Sequence, residues 1–189
     1  MYKKVKWPGG ALLAPVPAVL VTCGNEKKSN VFTVAWTGIL NTIPAKTYIA
    51  VRKERFSYNL IKNSGEFAIN LTTKDLVKAT DFCGVRSGKD IDKFKVMKLT
   101  RQTANEINCP IIGESPVSIE CKVTDIVKLG SHDMFMADIL SVDVAEDLID
   151  SKGRLELEKA GLIAYCHGEY FALGEKLGKF GYTVKKNSR

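Results

Sequence analysis

Side chains that bind phosphate are concentrated in one short segment. Arg52, Lys53, Arg55 and Ser57 follow one another closely, and Ser57 opens the helix-like stretch 57–63. Guanidinium and hydroxyl groups, together with the free backbone N–H groups of a helix N-terminus, are common ligands of phosphate. The segment therefore predicts an anion site, although a solvated basic face or a simple helix cap contains the same residue types.

Other chemistries need patterns that the sequence lacks. No G-x-G-x-x-G follows a strand pattern, and residues 84–90 are too short for a P-loop and place Asp90 where a Ser or Thr would bind magnesium. His132 and His167 are far apart in the sequence, with no carboxylate cluster beside them. Cys166 and His167 are adjacent, so an extended chain directs them to opposite sides. We expect no metal site and no catalytic side chain.

The cysteines indicate a reducing compartment. The chain has five cysteines, an odd number, and no C-x-x-C pair, so neither a disulfide framework nor a zinc site is expected. The basic N-terminus is followed directly by Trp7-Pro8-Gly9, and prolines at 15 and 17 interrupt the apolar stretch 10–21. We therefore predict a cytoplasmic protein without a targeting segment or a transmembrane helix.

Composition and charge are typical of one globular domain that attracts anions. The 189 residues are 45% hydrophobic and 26% charged, with a net charge of +7. We predict a single domain over 1–189, in which 174–189 form a basic surface segment. Such a charge attracts nucleic acid, anionic lipid or a phosphorylated small molecule. Because the chain has no long run of like charges, we favour the small molecule and expect neither nucleic acid nor membrane as a partner.

Most predicted elements are strands joined by turns. Residues 18–23 and 31–36 are rich in β-branched and apolar residues, and the turn signal Gly24-Asn25 lies between them, which predicts a hairpin. Similar composition predicts three further strands, at 47–51, 66–71 and 134–144.

The clearest periodicity lies in residues 117–127. Apolar and polar residues alternate there, which is typical of a half-buried strand. The apolar set is Val117, Ile119, Cys121 and Val123, and the polar set is Ser118, Glu120, Lys122 and Thr124. The turn residues 130–133 join this strand to 134–144 in a second predicted hairpin.

Few helices are predicted. One covers 57–63, with Ser57 as its cap, and ends before Gly65. Another begins where Thr72 and Asp75 have capping-box spacing and ends at Gly84. Residues 148–159 are predicted to form a loop with a helical turn. These elements predict a mainly β fold with a few helices, an antiparallel barrel and not a parallel doubly wound sheet.

The order of these segments resembles that of the flavin reductase-like family. The resemblance runs from about Pro15 to His132 and more weakly to Tyr182. It is carried by the Pro-rich entry at 14–17, the hairpin 19–36, Pro44, the basic segment 51–57, the strand 65–71, Ser87-Gly88 before 92–94, and 119–121 before 130–133. The resemblance implies an FMN-binding split β-barrel, antiparallel and Greek-key-like, that holds FMN non-covalently and forms a homodimer.

The same resemblance implies a function. The protein is expected to be an oxidoreductase or electron carrier of flavoredoxin or NAD(P)H:flavin reductase type. Its electron donor would be NADH, NADPH or a redox protein partner. Such a protein needs no acid–base pair, because the cofactor performs the chemistry.

The resemblance also assigns the FMN-binding role to individual residues. A strand at 30–36 offers backbone groups to the flavin edge, Trp36 packs on the ring, the basic segment and Lys93 hold the phosphate, and Tyr165 is a weaker candidate for covering the flavin. The full predicted set is Asn30, Val31, Thr33, Ala35, Trp36, Arg52, Arg55, Ser57, Lys93, His132 and Tyr165. Taken singly, each of these residues is more typical of a strand, core or surface role, and only their joint order favours FMN.

A second class of function has the same size and charge. A small basic barrel can be a non-enzymatic binding module for nucleic acid or for an acidic protein. It would interleave aromatic residues with Lys and Arg on one exposed strand face. Residues 117–127 place only Lys122 on their polar face, so the sequence favours the flavoprotein.

Overall fold

A computed structural model describes residues 1–184 of the chain. The strands are β1 Val16–Pro17, β2 Val19–Gly24, β3 Ser29–Val34, β4 Thr37–Thr42, β5 Ala45–Arg52, β6 Glu66–Asn70, β7 Arg101–Gln102, β8 Ile111–Ile112, β9 Val117–Lys128, β10 His132–Val144, β11 Ile163–Cys166 and β12 Glu169–Ala172. The α-helices are α1 Phe56–Ser64, α2 Val77–Val85 and α3 Lys93–Met97. Short 3₁₀ turns cover Glu146–Leu148, Leu157–Ala160 and Tyr182–Val184.

One antiparallel sheet organises the molecule. Its seven strands lie in the order β3-β2-β6-β9-β10-β5-β4, and every neighbouring pair is antiparallel. The β9–β10 pair is long and contains two register shifts, which increase local twist and bend the sheet. A smaller sheet has the strand order β1-β11-β12, and in it Val16 of the first strand pairs with Tyr165. The mainly β, antiparallel prediction is confirmed.

The main core lies on the inner face of this sheet, under α1. Tyr58 and Ile61 of α1 are buried there, and the Tyr58 ring meets the Phe135 ring edge-on at 5.2 Å between centroids. Burial of one such side chain stabilises the fold by about 1.5–3 kcal/mol. Gly65 ends the helix in the left-handed region, with φ 71°, and its N–H bonds to the carbonyl of Ile61. The predicted end of this helix is therefore correct.

The beginnings of both predicted helices are wrong. The first helix has Arg55 as its N-cap, with no side-chain cap, and Ser57 lies buried inside its first turn. The second begins at Val77 and continues through Gly84 to Val85. Its supposed capping residue, Thr72, donates its hydroxyl to the carbonyl of Ala18 on the neighbouring chain segment. A tertiary hydrogen bond thus replaces the local cap.

The alternation in β9 was interpreted only partly correctly. Ser118 and Glu120 belong to the polar set but are fully buried. The Glu120 carboxylate accepts backbone N–H groups of residues 105, 106 and 107 at 2.7, 2.6 and 3.1 Å. Ser118 donates to the buried Asn70 side chain at 2.7 Å. The polar face is covered by the loop before β8 because these side chains satisfy that loop's backbone.

Several elements of the structure were not predicted from the sequence. The strands β4, β7, β8, β11 and β12 and the helix α3 had no clear sequence signal.

Residues 1–14 are exposed and form no regular element, and 172–180 are also exposed. Of the predicted surface segment, 174–184 carries one 3₁₀ turn, and 185–189 lie outside the described residues. None of the helices within residues 1–184 combines the length and apolar character needed to cross a membrane.

Candidate functional site

A groove runs along β3 between the end of β5 and α2. It consists of two cavities of about 250 and 370 Å³ that share Phe32, Arg52 and Arg55. Together they fall in the size range of small-molecule sites, roughly 300–1,000 Å³. We call the first the aromatic cavity and the second the polar cavity.

Aromatic rings line the aromatic cavity. Trp36 and His132 lie on one side, with ring centroids 4.4 Å apart, and Trp36 is 46% exposed. Tyr165 and Tyr170 line it as well, with centroids 5.5 Å apart. Ala35 adds a small side chain to the lining, and the cavity is open to solvent beside Trp36.

Strand pairing explains how these rings meet. His132 begins β10 and pairs with Arg52 at the end of β5; it is not the turn residue that the sequence suggested. Tyr165 pairs with Tyr170 across the β11–β12 hairpin. Burial, and next the charge of Arg52, lower the pKa of His132 below its usual value. The imidazole is therefore neutral near pH 7, and it supplies a ring and a hydrogen-bonding edge without a charge.

Polar groups line the other cavity. The Asn30 amide donates to the hydroxyl of the buried Ser57 at 2.7 Å, which joins β3 to α1. Gly88 lies so close to Asn30 that a Cβ atom at this position would overlap the Asn30 amide. Ser87 and Arg86 of the same loop also line the cavity. The wall is thus built from donors on three separate segments.

Lys93 forms the base of the polar cavity. Only 2% of its surface is exposed, and its Nζ donates to the carbonyls of Cys83 at 3.0 Å and Arg86 at 3.2 Å. An ammonium has three N–H donors, so one donor is left for a ligand. Burial, with a further contribution from Arg55, lowers its pKa to about 8. A bound anion would stabilise the charged form and raise this pKa.

Arg55 and Arg52 lie where the two cavities join. The Arg55 guanidinium donates to the carbonyl of Gly84 at 2.8 Å, which directs it across the groove. Arg52 is exposed beside His132. Both guanidinium groups line both cavities, so their positive charges face the middle of the groove.

The structure brings together ten of the eleven predicted site residues. All but Val31 line one or both cavities. Val31 is fully buried in a second apolar cluster with Leu20 and Phe94 and does not reach the groove. Thr33 lines the aromatic cavity, but its hydroxyl is already bonded to the carbonyl of Thr80.

Sequence reasoning missed other residues of the groove. Tyr170 lies on β12, which was not predicted, and Phe32 was placed in a strand but not in the site. The adjacent residues Ser87 and Gly88 contributed to the family resemblance but were not assigned to the site. The signal that marks Gly88 is its contact with Asn30, which only the folded chain shows.

Among the described residues, the groove contains no metal-binding cluster and no reactive thiol. Within residues 1–184, no three His, Cys, Asp or Glu side chains are placed to hold a metal ion. Cys23 and Cys83 lie near Lys93, but burial raises their pKa to about 12 and about 11. Both thiols are therefore protonated and unreactive near pH 7. Its rings, hydroxyls and ammonium are suited to packing against a ligand and to hydrogen bonding with it.

Comparisons with known proteins agree on one family. Residues 12–174 match the profile described as flavin reductase like domain. The structure resembles flavoredoxin of Desulfovibrio vulgaris (Miyazaki F), with TM-score 0.90 and 28% identity over 97% of this chain and all 100% of that chain. An FMN-binding protein from Thermus thermophilus shares the fold at TM-score 0.78 and 22% identity, over 95% of this chain and 98% of that chain.

The chain also has a curated sequence relative. An uncharacterized protein of Archaeoglobus fulgidus is 31% identical over 140 residues, which are 74% of this chain and 78% of that protein. The flavoredoxin match also confirms the predicted split-barrel architecture. Since the matching profile covers most of the sequence, this chain belongs to the flavin reductase-like domain family.

Proposed function

We propose that the groove binds FMN non-covalently, with the isoalloxazine ring in the aromatic cavity and the phosphate in the polar cavity. The observation that carries the proposal is the order of chemistry along the groove. Rings line one end, arginines lie at the centre, and hydroxyl, amide and ammonium donors line the other end. FMN has the same order, from a flat ring through a hydroxylated chain to a phosphate. The Thermus thermophilus relative, an FMN-binding protein, supports the choice.

The residues of this chain would hold and orient the cofactor. Lys93 and Arg55 would neutralise the phosphate, and Ser57 and Ser87 would bond its oxygens. The Trp36 and His132 rings would pack beside the isoalloxazine without adding charge. When bound, FMN supplies the hydride and single-electron chemistry. The protein then acts as an oxidoreductase or electron carrier of flavoredoxin or flavin reductase type.

The electron donor, the assembly and the location are further parts of the proposal. The open mouth beside Trp36 leaves room for NADH, NADPH or a redox protein partner to approach the flavin. We propose a homodimer because β4 is a sheet edge that exposes Ile39 (67%) and, just beyond it, Ile43 (90%). All five cysteines are free, which fits a reducing cytoplasm.

An absorption spectrum of the purified protein is the first test. Bands in the near-ultraviolet and blue, with FMN released on heating and identified by chromatography, are expected. A colourless protein that also fails to bind added FMN would refute the proposal and favour the binding-module alternative.

Titration of apoprotein tests the assigned residues. The chain has two tryptophans, and in the Trp7→Phe background the remaining Trp36 should be quenched as FMN binds. Lys93→Met and Arg55→Ala should each weaken FMN binding about tenfold, since a charge-assisted hydrogen bond contributes about 1.5–3 kcal/mol. The matched control is Lys62→Ala, an exposed lysine on α1 away from the groove. Equal dissociation constants for all these variants would show that the phosphate does not bind there.

A further inference from the structure

A buried carboxylate lies beneath the segment that joins β5 to α1. Asp133 is fully buried, and alternation along β10 places it on the same inner face as Phe135 and Ala137 of the main core. An apolar side chain would suit this position better, because a carboxylate loses its hydration there. Core packing therefore does not explain why an aspartate occupies the position.

The two oxygens of Asp133 face the two ends of this segment. Oδ2 accepts the Tyr58 hydroxyl of α1 at 2.6 Å, and this bond raises the pKa of Tyr58, so the phenol remains the donor. Oδ1 accepts no hydrogen bond from residues 1–184 but lies 3.6 Å from the Nζ of Lys53. The backbone of Asp133 is itself fixed, because β10 pairs with β5 on one side and with β9 on the other. The carboxylate thus holds the segment at both ends from a rigid strand.

The segment carries like charges that favour an open turn. Three of the four residues 52–55 are basic, namely Arg52, Lys53 and Arg55, and like charges this close in sequence repel one another. A buried negative charge beneath them opposes this repulsion more effectively than an exposed one, because water and salt screen it less. Asp133 is therefore suited to keep the turn compact.

The same segment supplies one wall of the polar cavity. Arg55 and Ser57 line that cavity, and Tyr58 follows Ser57 directly in α1. The Ser57 hydroxyl also accepts the Asn30 amide at 2.7 Å. The first turn of α1 is thus held between Asn30 of β3 and Asp133 of β10. A shift of this turn would change the distance between Ser57 and the loop after α2, which forms the opposite wall.

We propose that Asp133 is a positioning residue for the phosphate end of the flavin. Asp133 lines neither cavity, and it acts through Tyr58 and Lys53. These two contacts keep Arg55 and Ser57 in place. The inference rests on the proposed function, because the FMN phosphate would lie in the polar cavity. The rings of the aromatic cavity belong to other segments, so the isoalloxazine should not respond when the carboxylate is changed.

Two substitutions separate the two contacts of Asp133. Tyr58→Phe removes the hydroxyl and keeps the buried charge, whereas Asp133→Asn removes the charge and keeps an oxygen that Tyr58 can bond. The matched control is Asp138→Asn. Asp138 lies on the same strand and forms an ion pair with Lys46 of β5, but neither residue lines the groove. Urea denaturation first confirms that each variant folds, and if Asp133→Asn does not fold, Tyr58→Phe alone decides.

Three measurements then compare the variants with the wild type. They are the dissociation constant for FMN, the phosphorus NMR signal of bound FMN, and the wavelength of its visible absorption band. We expect Tyr58→Phe and Asp133→Asn each to weaken FMN binding about fivefold, the scale of one net hydrogen bond, and to shift the phosphorus signal. The visible band should keep its wavelength, because the ring keeps its surroundings. Asp138→Asn should match the wild type in all three measurements.

Several results would overturn the inference while FMN binding itself stands. Affinities within about twofold of the wild type for both variants would show that Asp133 does not position the phosphate ligands. A phosphorus signal that does not move would show the same. A visible band that shifts with the phosphorus signal, or an equal loss in Asp138→Asn, would indicate a general distortion of the sheet. If the wild type binds no FMN, the proposed function fails and the inference fails with it.

Discussion

Gly88→Ala is the substitution that most directly tests the geometry of the polar cavity. A Cβ atom at Gly88 would overlap the Asn30 Oδ1 and lie 2.5 Å from its Cγ and 2.8 Å from its Nδ2. Contacts of that length do not occur between real side chains, so one partner must move. Gly88 has no positive φ, and alanine therefore meets no backbone strain at this position.

The cost follows from what holds Asn30 in place. Asn30 is 4% exposed and donates to Ser57 at 2.7 Å, so the amide cannot turn away without losing this bond. Loss of the bond costs about 1 kcal/mol, and a buried polar group left without a partner costs about 1–3 kcal/mol. We expect Gly88→Ala to lower the free energy of unfolding by about 2–3 kcal/mol and to weaken FMN binding about tenfold or more.

A double-mutant cycle separates this explanation from a general loop defect. The cycle consists of wild type, Gly88→Ala, Asn30→Ala and the double variant, with urea denaturation and FMN titration for each. Asn30→Ala removes the obstacle, so adding Gly88→Ala to it should cost less than about 0.5 kcal/mol. Gly174→Ala, with no atom within 4 Å of its Cβ, should change nothing. Equal costs of Gly88→Ala in both backgrounds would refute the reasoning.

Three further substitutions test single groups. FMN affinity should fall as pH rises through about 8, because Lys93 is charged only below its lowered pKa. Lys93→Met should flatten this pH dependence. FMN titrations from pH 6.5 to 9.5 measure it, and the same pH dependence in the wild type and the variant would contradict the role of Lys93. Burial and the nearby Glu120 raise the pKa of Asp143, so the stability that its proton confers is present below pH 3.8 and lost as pH rises through the raised pKa. Asp143→Asn should therefore stabilise the fold at pH 7 by about 0.5–1 kcal/mol, and less at pH 4, by urea denaturation; equal effects at both pH values would oppose this. Tyr58→Phe removes a 2.6 Å bond to the fully buried Asp133 and should cost about 1–3 kcal/mol, whereas a loss below 0.5 kcal/mol would mean that water replaces the hydroxyl.

The strands of the large sheet could be predicted where local patterning and tertiary structure agree. Residues 18–23, 47–51 and 66–71 are continuous β-rich segments, and each lies in or nearly matches a strand of the structure. The edge strand β4 could not be predicted because none of its six residues is buried, so its sequence has no alternation between a buried and an exposed face. The strand β11 pairs with β1, which is distant in the sequence, and this long-range contact has no local signal, whereas its pairing with β12 is a local hairpin around His167 and Gly168.

The buried polar side chains explain most of the errors. Ser57 has a hydroxyl that suits a helix cap, yet it bonds Asn30 inside the fold. Glu120 occupies a strand position that alternation assigns to solvent, yet it binds backbone N–H groups of a covering loop. In both cases, the residue type indicates a hydrogen-bonding need, and only the tertiary structure decides which partner meets it.

The site shows why the order of segments was more informative than any residue alone. The groove's donors come from β3, the end of β5, α1, the loop after α2 and α3, and only the basic segment that joins β5 to α1 was recognisable as a local pattern. Their convergence depends on the β2–β3 hairpin and on Lys93, whose ammonium bonds the carbonyls of Cys83 and Arg86. Lys93 therefore has two roles that separate experimentally. It ties the end of α2 to α3, which its hydrogen bonds to neutral carbonyls achieve at any charge, and it attracts an anion, which requires the proton. A rise in pH through about 8 should thus release the ligand before it loosens the wall.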